Sequence, residues 1–440
     1  MRFECSLEEY KKYKLGELVE NVVAGATPKT SVDDYWNGGD IPWLSSGEVH
    51  KKFIYFTDKF ITSEGYNNSS TKIVPTNSVL IALAGQGKTR GTVAINKIEL
   101  CTNQSIASII PNEMLNYKYL FYYLESKYEY LRALSSSDGG RGGLNLKLIR
   151  SIPIQVPSIK EQENISNFIN EIDKKILLLE QKHKLYDDFK KYLMQQIFTQ
   201  KLRFDFNDEW RIRRLNEITF YQEGPGVRNY QYTKEGVKLL NVGNFVNNAL
   251  ELDNTDKYIS NEEAYGKYKH FLVDEGDLLI ACSGIKAEYF DEKIAFAENK
   301  HLPLCMNTST MRFKFLDENT LNLRYLKYYF QTQSFKKQVF QVMTGSAQFN
   351  FGPTHLKYFK IPIPCLDEQI KIYQMFESID IKILNIYREI MKVKEFKKGL
   401  LQQMFVVRIN WRCNFKLAKS PSFNKHLLIL KNKIIFIIIK

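Results

Sequence analysis

The strongest periodic pattern of apolar residues occurs twice, once near the middle of the chain and once towards its end. Over residues 165–197, apolar positions alternate steps of four and three residues, and the same spacing returns over 372–404. A 3.5-residue repeat sustained this long predicts long helices with a coiled-coil seam. Neither segment contains proline, and about 38 residues predict a rod roughly 57 Å long.

Three polar residues interrupt these seams: His183 and Lys190 in the first helix, and Lys397 in the second. Two interpretations remain open. A polar residue at a seam position can fix the register of the paired helices. A long side chain can instead extend its polar tip to solvent from a partly open seam.

The two helical segments belong to an internal duplication. With a shift of 207 residues, 17 of the 45 positions in 154–198 and 361–405 are identical, where chance predicts roughly three. Each copy begins with a proline-punctuated extended run, at 152–157 and 361–364, because proline excludes helix there. The matching seams predict that the two helices are each other's partners. The residues predicted at this helix or subunit interface are Glu161, Gln162, Ile165, Ile172, Ile176, Leu179, Glu368, Gln369, Ile372, Ile379, Ile383 and Ile386.

Shorter echoes precede each helix: 15–17 matches 215–217, and 79–85 matches 278–284. Short β-rich runs with turns dominate these segments, and one helix, at 116–132 and at 322–341, is expected to close each domain. The predicted fold class is therefore α+β, with two mixed, β-rich domains separated by two long helices. The expected bounds are 1–153, 154–203, 204–360 and 361–407, followed by an atypical tail over 408–440.

The tail over 408–440 fits neither repeat and is rich in β-branched residues towards its end. We interpret it as an extension produced by a frameshift or gene rearrangement. A peripheral membrane anchor is the alternative, although the apolar stretch is shorter than the roughly 20 residues of a membrane span.

Charge and cysteine usage narrow the class of partner and the compartment. The 440 residues carry a formal net charge of +13, which favours polyanionic partners, nucleic acid above all; a merely basic protein is the alternative. The six cysteines form no C-x-x-C pair, so a reducing cytoplasm is expected. The first eleven residues hold no apolar core of a signal peptide, and no membrane partner is expected.

Motifs for catalysis are missing from the sequence. Gly87-Lys88-Thr89 resembles the end of a phosphate loop, but Ala82 stands where that loop needs its first glycine. No two prolines are adjacent, which excludes the Asn/Asp-Pro-Pro-aromatic motif of amino-methyltransferases. The six histidines have neither triad nor metal-ligand spacing. The sequence therefore predicts no active site, no metal site and no cofactor bound by this chain itself.

The helical segments carry a family resemblance. Ile-Pro-hydrophobic-Pro, then Glu-Gln, then a heptad helix ending in Lys-Lys-Gly-Leu-Leu-Gln-Gln, resembles the conserved regions of type I restriction–modification specificity subunits. Residues 361–405 match closely, whereas 154–198 depart at Gln155, where proline is common, and at Tyr192, where the other copy has Gly399. Further stretches resemble the recognition domains of this family: 25–28, 41–43, 103–105 and 344–348. The resemblance covers about 3–407.

The resemblance implies that each domain reads one half of a bipartite, asymmetric site on double-stranded DNA. It also implies that the helices pack antiparallel and set the spacer between the half-sites. Modification subunits and restriction subunits would dock on this frame, and S-adenosylmethionine, ATP and Mg²⁺ would bind to those partners. A coiled-coil protein-interaction scaffold without specific DNA recognition is the alternative from another class.

Base chemistry narrows the residues that could read DNA. Arg and Lys pair with guanine edges, Asn and Gln pair with adenine, and Ser and Thr with either base or with phosphate. For each loop residue of these types, a phosphate contact or simple solvation is the alternative to base reading. The candidates are Gln86, Lys88, Thr89, Arg90 and Arg141 in the first domain, and Arg228, Asn229, Lys286, Gln348 and Asn350 in the second.

Overall fold

A computed structural model of the protein describes residues 10–85, 88–134, 143–253, 255–342 and 349–405. The chain divides into two compact units. One comprises the residues up to Leu179 together with those from Glu389 onward, and the other is Glu180–Arg388. The division falls within both long helices, so each unit combines one β-rich domain with a part of each helix.

The first unit contains a five-stranded and a four-stranded sheet, and both mix parallel and antiparallel pairs. The strand orders are β2-β10-β7-β8-β4 and β5-β3-β9-β6, and β1 pairs with β11. The strands are β1 (Lys11–Lys14), β2 (Val19–Ala24), β3 (Ile41–Leu44), β4 (Phe53–Ile54), β5 (Lys59–Ile61), β6 (Ile73–Val74), β7 (Val79–Ala82), β8 (Val93–Asn96), β9 (Leu100–Thr102), β10 (Ile106–Pro111) and β11 (Pro153–Val156). The helices are α1 (Ser63–Asn67), α2 (Tyr117–Ser126), α3 (Tyr128–Leu134), α4 (Leu146–Arg150) and the first long helix, α5 (Ile159–Phe198).

The second unit repeats this plan with smaller sheets. The strand orders are β13-β22-β18-β20 and β17-β14-β21, with the pairs β12-β24, β15-β16 and β19-β23. The strands are β12 (Arg211–Arg214), β13 (Thr219–Glu223), β14 (Val237–Leu240), β15 (Phe245–Val246), β16 (Ala249–Leu250), β17 (Tyr258–Ile259), β18 (Leu278–Ala281), β19 (Ser283–Ile285), β20 (Ile294–Phe296), β21 (Leu304–Met306), β22 (Thr310–Phe315), β23 (Phe349–Asn350) and β24 (Lys360–Ile363). The helices are α6 (Leu215–Ile218), α7 (Asn261–Tyr265), α8 (Leu323–Phe330), α9 (Gln333–Val342), α10 (Pro353–Leu356) and the second long helix, α11 (Leu366–Phe405).

The central strands show why the sequence folds in this way. Every residue of β7 and of β18 is buried, which agrees with their unbroken apolar runs, since a strand covered on both faces does not alternate. The proline-punctuated runs that precede the long helices are strands, as expected. Each of them, β11 and β24, pairs antiparallel with the first strand of its own domain.

The helix that closes each domain differs from the prediction. The single helices expected over 116–132 and 322–341 are each two helices, α2 with α3 and α8 with α9. In the second copy the break follows from a local cap, because the Thr332 hydroxyl accepts the amide hydrogen of Phe335 and starts a new helix. Hydrophobic periodicity alone does not detect such a break, because the buried residues of the two helices continue one helical spacing across it.

The two long helices each span 40 residues, or about 60 Å. Most of the predicted seam is buried within the units. In the first unit, Ile165 and Ile169 of α5 share a core with Leu401 of α11. In the second unit, Ile197 of α5 shares a core with Ile372 of α11.

A buried glutamine attaches each long helix to the domain that precedes it in sequence. The Gln162 carbonyl oxygen accepts the backbone amide hydrogen of Asn116, at 2.8 Å, and its amide nitrogen donates to the main chain at Met114. Gln369 accepts from the backbone of Asn322 in the same way, at 2.9 Å. Asn116 caps the N-terminus of α2, and Asn322 caps the N-terminus of α8. These contacts explain why both copies keep a glutamine here; a role at an interface with another subunit stays a prediction.

Each domain also packs on the end of the long helix that belongs to the other repeat. In the first unit, the rings of Tyr119 and Tyr123 lie 5.4 and 5.7 Å from that of Phe405 on α11. In the second unit, the ring of Phe198 on α5 lies 5.6 Å from that of Tyr325 and 5.7 Å from that of Tyr329. The contact is therefore duplicated, and in both cases it joins one repeat to the other.

Candidate nucleic-acid interface

Three candidates of the first domain, Lys88, Thr89 and Arg90, lie between β7 and β8. Lys88 is exposed, and Thr89 and Arg90 are half-buried. The turn closes through the amide of Gly91, which donates to Ala82 at 2.9 Å. The next element described after β7 is strand β8, whereas a phosphate loop leads into a helix, so the resemblance to a phosphate loop is limited to the sequence. Two further candidates, Gln86 and Arg141, lie outside the described residues.

Helix α3 supports this turn. The Tyr128 hydroxyl donates to the Lys88 carbonyl at 2.9 Å, and the Arg132 guanidinium donates to that hydroxyl oxygen at 3.0 Å. Gly91 packs against the same helix, near Leu131, with a φ of +82° that disfavours other residues. The backbone at Lys88 and at Gly91 is thus held in place, while the Lys88 side chain remains exposed.

A second loop of the first domain, formed by two of the stretches that resemble recognition domains, 25–28 and 103–105, offers a side chain that is not among the candidates. Gly25 lies so close to Thr102 that a Cβ would stand 1.8 Å from the carbonyl oxygen. The Trp43 indole donates to the Ala26 carbonyl at 3.0 Å. The Thr27 hydroxyl donates to the side-chain oxygen Oε1 of Gln104, at 2.7 Å.

Gln104 is exposed, and among the described residues no acceptor takes a hydrogen bond from its side-chain nitrogen. A glutamine amide oriented in this way suits an adenine edge. The signal that could have found Gln104 is the resemblance of 103–105 to the recognition domains, since this stretch contains Gln104 and partly matches 307–309 in the other copy.

The matching loop of the second domain carries Arg228 and Asn229. A Cβ on Gly224 would stand 2.3 Å from the Asn307 carbonyl oxygen, so the close backbone approach seen at Gly25 is repeated. The side-chain oxygen Oε1 of Gln231 accepts the backbone amide hydrogen of Arg228, at 3.0 Å. Arg228 and Asn229 are both exposed.

Tyr230, in the same turn, is 87% exposed. An aromatic ring this exposed beside an arginine suits stacking or packing on nucleotides. Composition did not identify it, because tyrosine is frequent throughout the chain.

The remaining described candidates lie near β19. Asn350 uses its carbonyl oxygen to accept from the Ser283 hydroxyl, at 2.5 Å, and from the Gly284 amide, at 3.1 Å. Its side-chain nitrogen makes no hydrogen bond to a described residue. Lys286 is exposed at the end of β19. Gln348 lies outside the described residues.

A carboxyl group adjoins this region. Burial raises the pKa of Glu223 above its usual value, although the Ser309 amide hydrogen bond opposes the shift. The Cys282 thiol lies 4.0 Å from this carboxyl group. Burial also raises the pKa of Cys282, and the nearby Glu223 carboxylate raises it further. The thiol is therefore held in its neutral form at neutral pH.

The described residues contain neither a candidate metal site nor a candidate membrane-spanning helix. Within the described ranges, no three His, Cys, Asp or Glu side chains stand close enough together to hold a metal ion. Over those ranges, no helix combines the length and the apolar composition that crossing a membrane requires.

The duplicated domains and helices match a known family. The model of the type I restriction modification DNA specificity domain matches residues 7–185 and again 207–395. Each match covers one β-rich domain and most of the long helix that follows it. The chain therefore belongs to the type I restriction–modification DNA specificity family.

Individual relatives agree with this assignment. The MjaIX specificity subunit of Methanocaldococcus jannaschii is 26% identical over 90% of this chain and 95% of its own length. The EcoR124I/EcoR124II specificity subunit of Escherichia coli is 29% identical over 34% of this chain and 37% of its own length.

Two solved structures share the fold. A chain from a study of complex assembly and conformational transition of the type I restriction–modification system has a TM-score of 0.58 at 17% identity, and covers 90% of this chain and 97% of that chain. The S subunit from M. genitalium has a TM-score of 0.54 at 14% identity, over 92% and 98% of the two chains.

Proposed function

We propose that this chain is the DNA-reading subunit of a type I restriction–modification complex and recognises a bipartite, asymmetric target. The observation that carries this proposal is the presence of two complete specificity domains whose loops differ in chemistry. The first domain exposes Lys88 and Gln104, and the second exposes Arg228, Asn229 and Asn350. Since bases are distinguished by such side chains, two unlike domains would read two unlike half-sites.

The two long helices are proposed to pack antiparallel and to set the spacer between the half-sites. Within the first unit, Lys397 of α11 lies 2.8 Å from Asp173 of α5, and Glu389 of α11 lies 3.2 Å from Lys175 of α5. From Glu389 to Lys397 the chain of α11 advances, while the partner on α5 moves back from Lys175 to Asp173. This order supports the antiparallel direction. A rigid separator fixes half-site spacing in other DNA readers in the same way.

The long helices also offer a surface for partner subunits. Leu185, Phe189 and Tyr192 of α5 recur at helical spacing and remain 68, 48 and 54% exposed. An apolar stripe of this kind on an otherwise polar helix suits an interface with another protein. We propose that modification subunits dock on the helices and that restriction subunits join them. S-adenosylmethionine, ATP and Mg²⁺ would bind to those partners, and catalysis would take place there in the cytoplasm.

The test is to co-express this chain with its modification subunit and to map methylated adenines across the host genome. A gapped motif with two different half-sites is expected. A palindromic motif would contradict the bipartite, asymmetric reading. If the two chains co-purify but add no methylation, the protein-interaction scaffold is the better explanation.

A further inference from the structure

A buried lysine joins three elements in the first unit. Lys397 Nζ lies 2.8 Å from each carboxylate oxygen of Asp173 and 2.8 Å from Oε2 of Glu125. Only 8% of the Lys397 side chain is exposed. Asp173 belongs to α5, Lys397 to α11 and Glu125 to α2. Extension of the polar tip to solvent, one of the two interpretations of the seam, is therefore wrong for Lys397.

The charges around Lys397 balance. Lys52 Nζ lies 2.5 Å from the second carboxylate oxygen of Glu125, so two ammonium groups face two carboxylates. Burial by itself raises the pKa of Glu125, but Lys397 and Lys52 outweigh burial and hold this pKa below its usual value. The carboxylate is thus ionised at neutral pH, and the cluster is closed on itself.

The second unit contains the same arrangement, made by the equivalent residues. Lys190 Nζ lies 2.7 Å from Asp380 Oδ1 and 3.3 Å from the side-chain oxygen of Gln331. Lys190 and Asp380 are the counterparts of Lys397 and Asp173 under the shift of 207 residues. In both units the lysine therefore comes from one long helix and the aspartate from the other, and the third group comes from the C-terminal end of α2 or of α8.

The outer members of the two clusters differ, and in the second cluster the Tyr328 hydroxyl also donates to Asp380, at 2.8 Å. Gln331 replaces Glu125, and its amide nitrogen donates to Asn248 at 3.1 Å, whereas Glu125 pairs with Lys52. Lys52 and Asn248 are the outer partners of Glu125 and Gln331, and each has a backbone φ in the left-handed region, +62° and +63°. The duplication thus kept the lysine–aspartate pair and exchanged an ionic outer pair for a neutral one.

We propose that Lys397 and Lys190 are positioning residues that lock the register of the long helices, seat each domain on the helix pair, and so determine the spacer length of the DNA target. This inference deepens the proposed function and rests on it. Each lock is reciprocal, since the lysine of one repeat holds the domain of the other.

The physical reason lies in what an apolar seam cannot do alone. Isoleucines that repeat along both helices pack almost equally well after a slip, but a buried ammonium group displaced from its carboxylates has no compensating partner. A slip of one helical turn is about 5.4 Å, and each base pair adds about 3.4 Å along DNA. An unlocked seam would therefore admit targets whose spacers differ by one or two base pairs.

The experiment maps methylated adenines for the full chain co-expressed with its modification subunit, comparing wild type with Lys397→Met and Asp173→Asn. Methionine keeps the apolar bulk and removes the charge. Asp173→Asn leaves Lys397 paired with Glu125 and weakens only its contact with α5. Both variants are expected to keep both half-site sequences, while sites with a spacer one or two base pairs off rise at least tenfold in methylation. Lys190→Met should repeat this effect.

A matched control uses the second cluster as its model. Glu125→Gln combined with Lys52→Asn gives the first cluster the neutral outer pair of the second, and should retain the wild-type spacer. If Lys397→Met fails to fold, Asp173→Asn decides. A folded Asp173→Asn variant with an unchanged spacer overturns the lock, as does a uniform loss of methylation at one fixed spacer. If the wild-type complex yields no gapped motif, the proposed function fails and the lock with it.

Discussion

The first and second specificity domains share one scaffold, and their differences are concentrated at its loops and outer contacts. In both domains the backbone comes very close to another loop directly after the second strand, at Gly25 after β2 and at Gly224 after β13. Both are attached to their helix by a buried glutamine. The loops differ: the first domain holds Gln104 through Thr27, and the second holds Asn350 through Ser283. A duplicated frame with unlike loops can hold two readers in the same way while allowing each to read a different sequence.

Packing of the domains on the long helices also differs. Phe198 is only 7% exposed and contacts four aromatic rings in the second unit. Its counterpart Phe405 is half-buried and contacts Tyr119 and Tyr123. The second domain therefore has the larger apolar anchor, whereas the first has the more strongly ionic one.

The largest expected effect tests this apolar asymmetry. Phe198→Ala should lower the free energy of unfolding by about 3–5 kcal/mol, because it empties a packed aromatic core. Phe405→Ala, at a more open position, should cost roughly half as much. Denaturant unfolding, with hydrogen exchange to assign the loss to each unit, measures both. Equal losses would remove the asymmetry.

The next effect concerns the acidic residue that opens each long helix. Glu368 is fully buried; it accepts two hydrogen bonds from Arg203, at 2.9 Å, and one from the Trp210 indole, at 3.0 Å. Its counterpart Glu161 is half-buried and accepts from Tyr10. Glu368→Ala should destabilise by about 2–4 kcal/mol, since it strands buried donors, and Glu161→Ala by about 1 kcal/mol. Melting temperatures compare them, and a larger loss for Glu161→Ala would reverse the comparison.

A smaller effect distinguishes the readers themselves. Lys88→Ala or Arg90→Ala should weaken DNA binding by the assembled complex and reduce the slope of affinity against salt by about one, if the contact is to phosphate. Arg228→Ala, if it loses a guanine contact, should cost about 1–3 kcal/mol and relax one base of one half-site. Salt titrations and methylation maps record these outcomes. Unchanged affinity in both first-domain variants across a salt titration would remove that turn from the interface.

The smallest effect is a pH dependence confined to the first cluster. The pKa of Glu125 is lowered in the folded protein from its ordinary value of 4.5, so the stabilising contribution of this carboxylate is present above that pH and is lost as the pH falls through the lowered value. Gln331 cannot titrate. Below pH 4.5 the melting temperature should therefore fall less steeply with decreasing pH in Glu125→Gln than in the wild type. Parallel curves for the two proteins would mean that another carboxyl group governs the acid transition.

Several elements of the fold could be predicted from local pattern. The long helices, the proline-bounded strands before them and the duplication itself depend on residues close together in sequence, whose periodicity reports which face is buried. The break between α8 and α9 could not be predicted in this way, because the Thr332 cap competes with a continuous apolar face. The sequence predicted a loop at Lys88, and the structure has a turn there between β7 and β8, but the support of this turn by Tyr128 depends on a contact across 40 residues.

The sequence by itself determined that this chain is a duplicated frame with two long helices, because repeats and periodicity are written along the chain. It identified Lys190 and Lys397 as polar interruptions of the apolar seams. It could not choose between exposure of the side chain to solvent and a role in fixing the register, since the linear sequence shows neither burial nor partners. Only the tertiary structure excluded exposure for Lys397, because Asp173 and Glu125 reach this lysine from more than 220 positions away in sequence. Burial and partners are properties of the fold, and they turn an unfavourable charge in an apolar seam into a specific contact.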